Sequence, residues 1–150
     1  MKILIIGNVA SGKTTFAKKL SNKLKIKYYE LDNIVFDSKN NKRSLTEQKQ
    51  IINNINKNDN FILEGTLRHN LYFLLSLADQ IYFLNPSIFI IKFRIIKRYF
   101  KQKIQLEKAN YDINLSLLKS MFKWANEFEK NKNNFMKLLN KYQNKLIIIK

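Results

Sequence analysis

The arrangement of apolar residues along the chain predicts strands that alternate with helices. Ile3–Ile6 is a short, wholly apolar run rich in Ile, which is typical of a strand buried on both faces of a parallel sheet. The further predicted strands are Ile26–Leu31, Phe61–Leu63, Asp79–Leu84 and Lys145–Ile149. Apolar residues at helical spacing predict helices over Thr14–Leu24, from a Ser44–Glu47 capping box to Asn58, over Ser87–Lys103 and over Leu115–Tyr142, with a short helix or turn at Leu71–Leu77.

This alternation calls for a parallel sheet with helices on both of its faces, an α/β fold of three layers. The chain has 150 residues and contains no repeat and no linker, so we expect one domain over residues 1–150. Ser38–Arg43 is polar and is predicted to be a loop, and Lys103–Asp112 is predicted to be a mobile connector.

The turn after the first strand carries the strongest chemical signal. Residues 7–14 read Gly-Asn-Val-Ala-Ser-Gly-Lys-Thr and satisfy the phosphate-loop pattern G-x-x-x-x-G-K-[ST] between a strand and an amphipathic helix, where that motif belongs. Its amide groups and the helix N-terminus would attract phosphate, Lys13 would place a charge on the β- and γ-phosphates, and the Thr14 hydroxyl would meet Mg²⁺. The predicted nucleotide-binding residues are Gly7, Ala10, Ser11, Gly12, Lys13, Thr14 and Thr15.

The composition of the chain leaves the meaning of its high positive charge open. The 28 basic residues outnumber the 11 acidic ones, for a net charge of +17, but only four of the basic residues are Arg. Lys (24), Asn (20) and Ile (20) are enriched together. This balance fits either the codon bias of an AT-rich genome or a functional basic surface. In a Lys-biased chain the positions that keep Arg are informative.

Several classes of protein are excluded or disfavoured. The chain has no Cys, which excludes disulfides and thiol catalysis, and its one His, His69, is expected at the surface. The longest apolar stretches, Leu71–Ala78 and Ile81–Phe93, are interrupted by polar residues and fall short of a membrane span of about 20 residues. With no visible targeting segment, we expect a cytoplasmic protein without a membrane partner. A GTPase is disfavoured because no Asn-Lys-x-Asp segment follows a late strand.

Three segments beyond the loop carry a resemblance to a known family. They are Glu30-Leu31-Asp32, the run Phe61-Ile62-Leu63-Glu64-Gly65-Thr66-Leu67-Arg68, and Ala78–Asn85 followed by Arg94–Arg98. Together with the phosphate loop, they make the chain resemble the adenylate-kinase-like small P-loop kinases, and most of all the group of topology modulation proteins. Thr66 stands where that group often has Asn, the lid at about residues 100–113 is short, and the loop after the fifth strand is expected to be missing or minimal.

The resemblance implies a P-loop NTPase fold with a parallel sheet in the order 2-3-1-4-5, a short lid, and Mg·ATP as phosphate donor. It implies that Asp32 faces the phosphate acceptor and that Arg94 and Arg98 belong to the lid and could reach the transferred group. Glu64 would hold Mg²⁺ through a water or act as base, and Arg68 would bind an acceptor phosphate. Each residue has a plain alternative: a loop cap for Asp32, a turn carboxylate for Glu64, a surface cation for Arg68, and a solvated basic helix face for the arginine pair. Tyr111, Phe122 and Trp124 could line the lid or serve in helix packing.

Two functions from different classes therefore remain. The first is an enzyme that moves the γ-phosphate of Mg·ATP to a small acceptor, either a nucleotide or another hydroxyl compound. The second is an ATP-binding or ATP-hydrolysing regulator associated with DNA, which only the basic balance and the group resemblance support. The sequence leaves open whether the protein is a monomer or a homodimer.

Overall fold

The computed structural model describes residues 1–104 and 115–150, and its centre is a parallel five-stranded sheet. The strands are β1 (Lys2–Gly7), β2 (Tyr28–Glu30), β3 (Phe61–Gly65), β4 (Gln80–Leu84) and β5 (Leu146–Ile149). They lie in the order β2-β3-β1-β4-β5, which confirms the predicted order. The carboxyl ends of β1 and β3 therefore lie side by side, with Ile6 paired to Gly65.

Helices cover both faces of this sheet. The α-helices are α1 (Lys13–Leu24), α2 (Leu31–Val35), α3 (Leu45–Asn56), α4 (Leu74–Leu77), α5 (Ile88–Lys103) and α6 (Leu115–Leu139), and short 3₁₀ turns occupy His69–Leu71 and Asn140–Lys145. The α3 helix begins at the predicted capping box, in which Ser44 and Glu47 bond reciprocally. The three-layer α/β fold expected from the sequence is confirmed.

The alternation of side chains along the central strand divides the core in two. Leu4 and Ile6 of β1 face a large cluster that includes residues of α3, α4 and the end of α6, while Ile3 and Ile5 face a smaller one built on Ala17 of α1. A third cluster joins Ile91 and Ile95 of α5 to Met121 and Ala125 of α6 and touches the loop residues Val9 and Ala10. The phosphate loop thus packs against a helix pair as well as against the sheet.

The structure differs from the predicted elements chiefly in four places. The strand predicted over Phe61–Leu63 continues to Gly65, so Glu64 lies within β3 rather than after it. The strand predicted over Ile26–Leu31 shortens to Tyr28–Glu30, because the chain leaving α1 turns through Lys25 in the left-handed conformation and the Ile26 amide bonds back to Ser21. A helix that was not predicted, α2, follows immediately and carries Asp32. The last long helix ends at Leu139 rather than Tyr142, whose backbone is not helical.

Two predictions fall wholly or mainly outside the described residues. The lid at about 100–113 and the connector Lys103–Asp112 are described only up to residue 104, and that part continues α5 through Lys103. Among residues 1–104 and 115–150, no helix combines the length and the apolar character needed to cross a bilayer.

Candidate active site

The loop from Gly7 to Thr14 connects β1 to α1. Its two glycines are required for different reasons, one for lack of space and the other for its backbone conformation. A Cβ at Gly7 would lie 2.5 Å from the main-chain oxygen of Leu84 on β4, so a side chain has no room there. Gly12 has φ of 100° at the N-cap of α1, a backbone conformation that glycine adopts without steric cost. Ala10 also has positive φ, at 53°. The loop is therefore a tight turn held against the sheet by close backbone contact.

The Lys13 side chain folds back over this loop. Its side chain is buried, and Nζ donates a hydrogen bond of 2.7 Å to the carbonyl oxygen of Asn8. Burial lowers the pKa of Lys13, and nearby Arg98 lowers it further, while the carboxylates of Glu64 and Asp32 act in the opposite direction. Three other charged groups predicted for the site therefore lie close enough to act on the Lys13 charge.

Thr14 and Glu64 meet directly. The Thr14 hydroxyl, in the first turn of α1, donates a 2.7 Å hydrogen bond to Oε1 of Glu64, near the carboxyl end of β3. Only 3% of Glu64 is exposed, and burial raises the pKa of this carboxyl, with the Thr14 hydrogen bond and the Lys13 charge opposing the shift. Adjacent parallel strands bring these two groups together although 50 positions separate them in the chain.

Arg94 and Arg98 approach the same loop from α5. Arg94 Nη1 donates a 2.8 Å hydrogen bond to the carbonyl oxygen of Ser11, and the same atom would be 3.4 Å from a Cβ at Gly12. The positive charge of Arg98 acts on Lys13. The sequence left a solvated helix face as the alternative for this pair. Arg94 contacts the loop although the residue is exposed, so the alternative stays open.

Asp32 and Arg68, the two residues predicted to bind the acceptor, form an ion pair with each other. Asp32 Oδ1 lies 3.3 Å from Arg68 Nη2, and both side chains are partly exposed. The Arg68 guanidinium also stacks over the ring of Phe36, 5.0 Å from its centroid. A groove of about 760 Å³ opens nearby along β2 and α3, and Glu30 and Asn33, on either side of Asp32, line it.

The surroundings of the remaining candidate residues do not assign them a role in the site. Thr15 is exposed on α1, Trp124 is about half exposed on α6, and Phe122 packs in the cluster that touches the loop. His69 stacks on Tyr72. Tyr111 lies outside the described residues.

Sequence reasoning missed two residues that hold the site in place. The Asn8 side chain is buried and bonds both to Val9 N (2.7 Å) and to the carbonyl oxygen of Ala125 on α6 (3.0 Å). Arg43 Nη1 contacts three main-chain oxygens at the end of α2, those of Asn33, Ile34 and Phe36. The position of Arg43 in a Lys-rich chain was a signal for it, whereas nothing in the local pattern singles out Asn8.

The residues of the loop fit a phosphate group and a divalent cation. The buried Ser11 hydroxyl has no hydrogen-bond partner among residues 1–104 and 115–150, and it lies within the loop. Lys13 supplies a positive charge, and the Thr14 hydroxyl and Glu64 carboxylate supply the oxygen atoms that Mg²⁺ prefers. The donor set therefore matches the chemistry that the sequence motif predicts.

Comparisons with known proteins support the fold. No family model and no curated protein matches the chain. Among solved structures, it is similar to shikimate kinase from Acinetobacter baumannii in complex with shikimate (TM-score 0.59, 12% identity, 91% of this chain and 79% of that chain). It is also similar to shikimate kinase from Bacteroides thetaiotaomicron (0.57, 15%, 89% and 80%) and to deoxyadenosine kinase from M. mycoides with bound dATP (0.54, 18%, 100% and 90%). The fold is that of the small P-loop kinases.

Proposed function

We propose that the protein is a phosphotransferase that moves the γ-phosphate of Mg·ATP to the hydroxyl group of a small acceptor. The observation that carries the proposal is the 2.7 Å contact between the Thr14 hydroxyl and the buried Glu64 carboxylate, beside the phosphate-loop lysine. These groups form a site for a metal-bound polyphosphate at the carboxyl end of parallel strands, where ligands of α/β proteins bind. The likeness in fold to shikimate and deoxyadenosine kinases supports the same class of reaction.

The proposed roles follow from charge and position. The amide groups of the loop and Lys13 bind the β- and γ-phosphates, and Thr14 with Glu64 orients the metal, Glu64 through a water molecule. Arg94 and Arg98 add positive charge on the opposite side of the transferred group and exclude water from it. When bound, Mg²⁺ neutralises the phosphate oxygens and draws electron density from the bond that breaks.

The acceptor is proposed to bind between β3 and α2. Asp32 would accept a hydrogen bond from its hydroxyl group, and Arg68 would bind an anionic group on it if one is present. The two side chains already pair with each other, so an acceptor with both groups would replace one polar contact by two. Because the ion pair is partly exposed, its loss is expected to affect stability by less than about 1 kcal/mol.

A screen with γ-labelled ATP and Mg²⁺ tests this proposal. The panel consists of deoxynucleosides, nucleoside monophosphates and shikimate, with water as the reference acceptor. We expect transfer to at least one compound, and we expect Lys13→Ala to reduce it by about 100-fold or more. The matched control is Lys18→Ala, which removes an exposed lysine from the same helix and should leave transfer unchanged. Equal transfer by wild type and Lys13→Ala would refute the proposed site.

The DNA-associated alternative makes a different prediction. A regulator of the kind suggested by the topology modulation resemblance would hydrolyse or bind ATP without an acceptor, and its affinity for duplex DNA would fall log-linearly with salt. Hydrolysis that no compound in the panel diverts, together with such a salt-dependent DNA affinity, would favour the regulator over the kinase.

A further inference from the structure

The outward side of α5 carries an apolar stripe that no described residue covers. Phe89, Phe93 and Phe100 are 80%, 65% and 58% exposed, and Ile96 is 42% exposed. Their spacings of four, three and four residues place them on one side of the helix over a length of about 17 Å. Three phenylalanines in one exposed row form a patch of the kind that marks an interaction surface.

The opposite side of the same helix is already used in the fold. Ile91 and Ile95 are buried against Met121 and Ala125 of α6. The α5 helix is therefore apolar on two opposite sides, and packing within the protein requires only the inner one. The Phe89–Phe100 stripe is left without a role in the described core.

Positive charges lie along both edges of the stripe. At about 100° per residue, Lys92 and Lys103 fall on one edge and Lys97 and Lys101 on the other. The sequence of α5 contains no Asp or Glu. An apolar row with lysines on both sides is the pattern of a helix that lies in the plane of an anionic membrane surface, with the rings in the acyl boundary and the ammonium groups at the phosphates.

We propose that the outer face of α5 binds an anionic phospholipid surface. Charge argues against a second copy of the chain as the occupant, because two such faces brought together would oppose eight lysines without a carboxylate from either helix. The stripe also contains no polar side chain that would fix the orientation of a protein partner, whereas a fluid bilayer requires none. The expectation of no membrane partner rests on the length of the apolar runs, a criterion that does not apply to a helix lying along a surface.

Binding at this face would leave the candidate active site accessible. Arg94, which reaches the loop through Ser11, lies about 130° around α5 from the centre of the stripe. The proposal is independent of the phosphotransferase assignment, because it requires neither ATP nor an acceptor.

Co-sedimentation with lipid vesicles tests the proposal without nucleotide. The vesicles are either phosphatidylcholine alone or an equimolar mixture with phosphatidylglycerol. We expect the full chain to bind the mixed vesicles about tenfold or more tightly than the neutral ones, and added salt to weaken this binding. In the double variant Phe89→Ser/Phe93→Ser, we expect affinity for the mixed vesicles to fall about tenfold or more. Because both rings are exposed, this variant should unfold at the same urea concentration as the wild type.

Matched variants separate the stripe from general charge attraction. Lys97→Gln/Lys101→Gln should weaken binding more than Lys19→Gln/Lys23→Gln, which removes the same charge from exposed positions of α1. With Trp124→Phe as background, a Phe93→Trp reporter should be quenched by brominated acyl chains.

Three results would overturn the proposal. The first is the absence of vesicle binding. The second is binding that the two phenylalanine substitutions leave unchanged, which would assign it to net charge. The third is a protein that does not bind vesicles but self-associates in sedimentation equilibrium, and whose self-association is abolished by Phe89→Ser/Phe93→Ser. That result would assign the stripe to contact with a second copy of the chain.

Discussion

The side-chain amide of Asn8 donates a 3.0 Å hydrogen bond to the main-chain oxygen of Ala125, a residue 117 positions further along the chain. The other end of the same side chain accepts from Val9 N, and the Asn8 carbonyl accepts from Lys13. One residue thus ties the phosphate loop, its lysine and helix α6 to one another.

Replacement of Asn8 by Ala should destabilise the protein by about 1–2 kcal/mol, because a buried amide hydrogen bond is lost and Val9 N loses its partner. Urea denaturation measures this change. Asn126→Ala on the exposed side of α6 is the control and should have little effect. If the two variants unfolded at the same urea concentration, the bond between the loop and α6 would contribute nothing to stability.

Lys13→Met should abolish nucleotide binding, yet the ligand-free protein should be at least as stable as the wild type at neutral pH. The reason is that burial lowers the pKa of Lys13, so folding disfavours its charged form. A group with a lowered pKa contributes stability above its unfolded value of 10.5 and loses it as pH falls. The advantage of the variant should therefore shrink as pH approaches that value. Thermal unfolding with and without Mg·ATP measures both effects, and a large loss of stability in Lys13→Met would contradict the argument.

Glu64→Gln should stabilise the ligand-free protein at neutral pH while it weakens phosphate transfer. Burial raises the pKa of Glu64, so its contribution to stability is complete below the usual value of 4.5 and is lost as pH rises through the folded-state pKa. Gln keeps an acceptor for the Thr14 hydroxyl without the buried charge. Wild type and variant should therefore converge in acid and diverge toward neutral pH in urea titrations.

Glu47→Gln is a control that should change stability at neutral pH in the opposite direction from Glu64→Gln. Hydrogen bonds from Ser44 lower the pKa of Glu47, so this carboxylate stabilises the fold above 4.5 and the stabilisation is lost as pH falls through the folded-state pKa. Its Gln variant should be the less stable protein at neutral pH and should approach the wild type in acid. The same sign of effect at both positions would refute the assignment for Glu64.

Arg43→Ala should destabilise the protein by about 1–3 kcal/mol, because the main-chain oxygens of Asn33 and Phe36 lose a charged donor. The helix that they close carries Asp32, so we also expect a higher KM for the acceptor than in Lys42→Ala, which removes the exposed neighbouring cation. Thermal unfolding and acceptor titration measure the two effects. An unchanged midpoint would show that α2 is held without Arg43.

The elements that could be predicted are those whose own residues specify them. The apolar run Ile3–Ile6 and the Ser44–Glu47 capping box lie where the pattern places them, because burial on both faces and reciprocal capping are local properties. The strand order followed from the resemblance rather than from the pattern. The short α2 was missed because five residues make little more than one helical turn, which is too short for a periodic pattern to show.

The supporting contacts of the site could not be predicted for a different reason. Asn8 and Arg43 bond to main-chain oxygens, and every residue offers one, so the sequence does not identify the partner. In α5, the residues Ile88, Ile91, Ile95 and Tyr99 recur at helical spacing, which indicates an apolar face. The structure buries Ile91 and Ile95 as expected, but the phenylalanines form a second apolar side that this spacing did not resolve.

The close contact between Gly7 and the Leu84 carbonyl also concerns how the protein folds. Gly7 is paired with Leu84 in the register of β1 and β4, so the first residue of the loop is also the last rung of the central ladder. A slip of one residue between these strands would exchange the side chains that β1 presents to the two faces of the sheet. It would also displace the phosphate loop from the start of α1. The register of the central strands and the geometry of the phosphate site are therefore linked, and we expect a protein whose strands have slipped to lose nucleotide affinity.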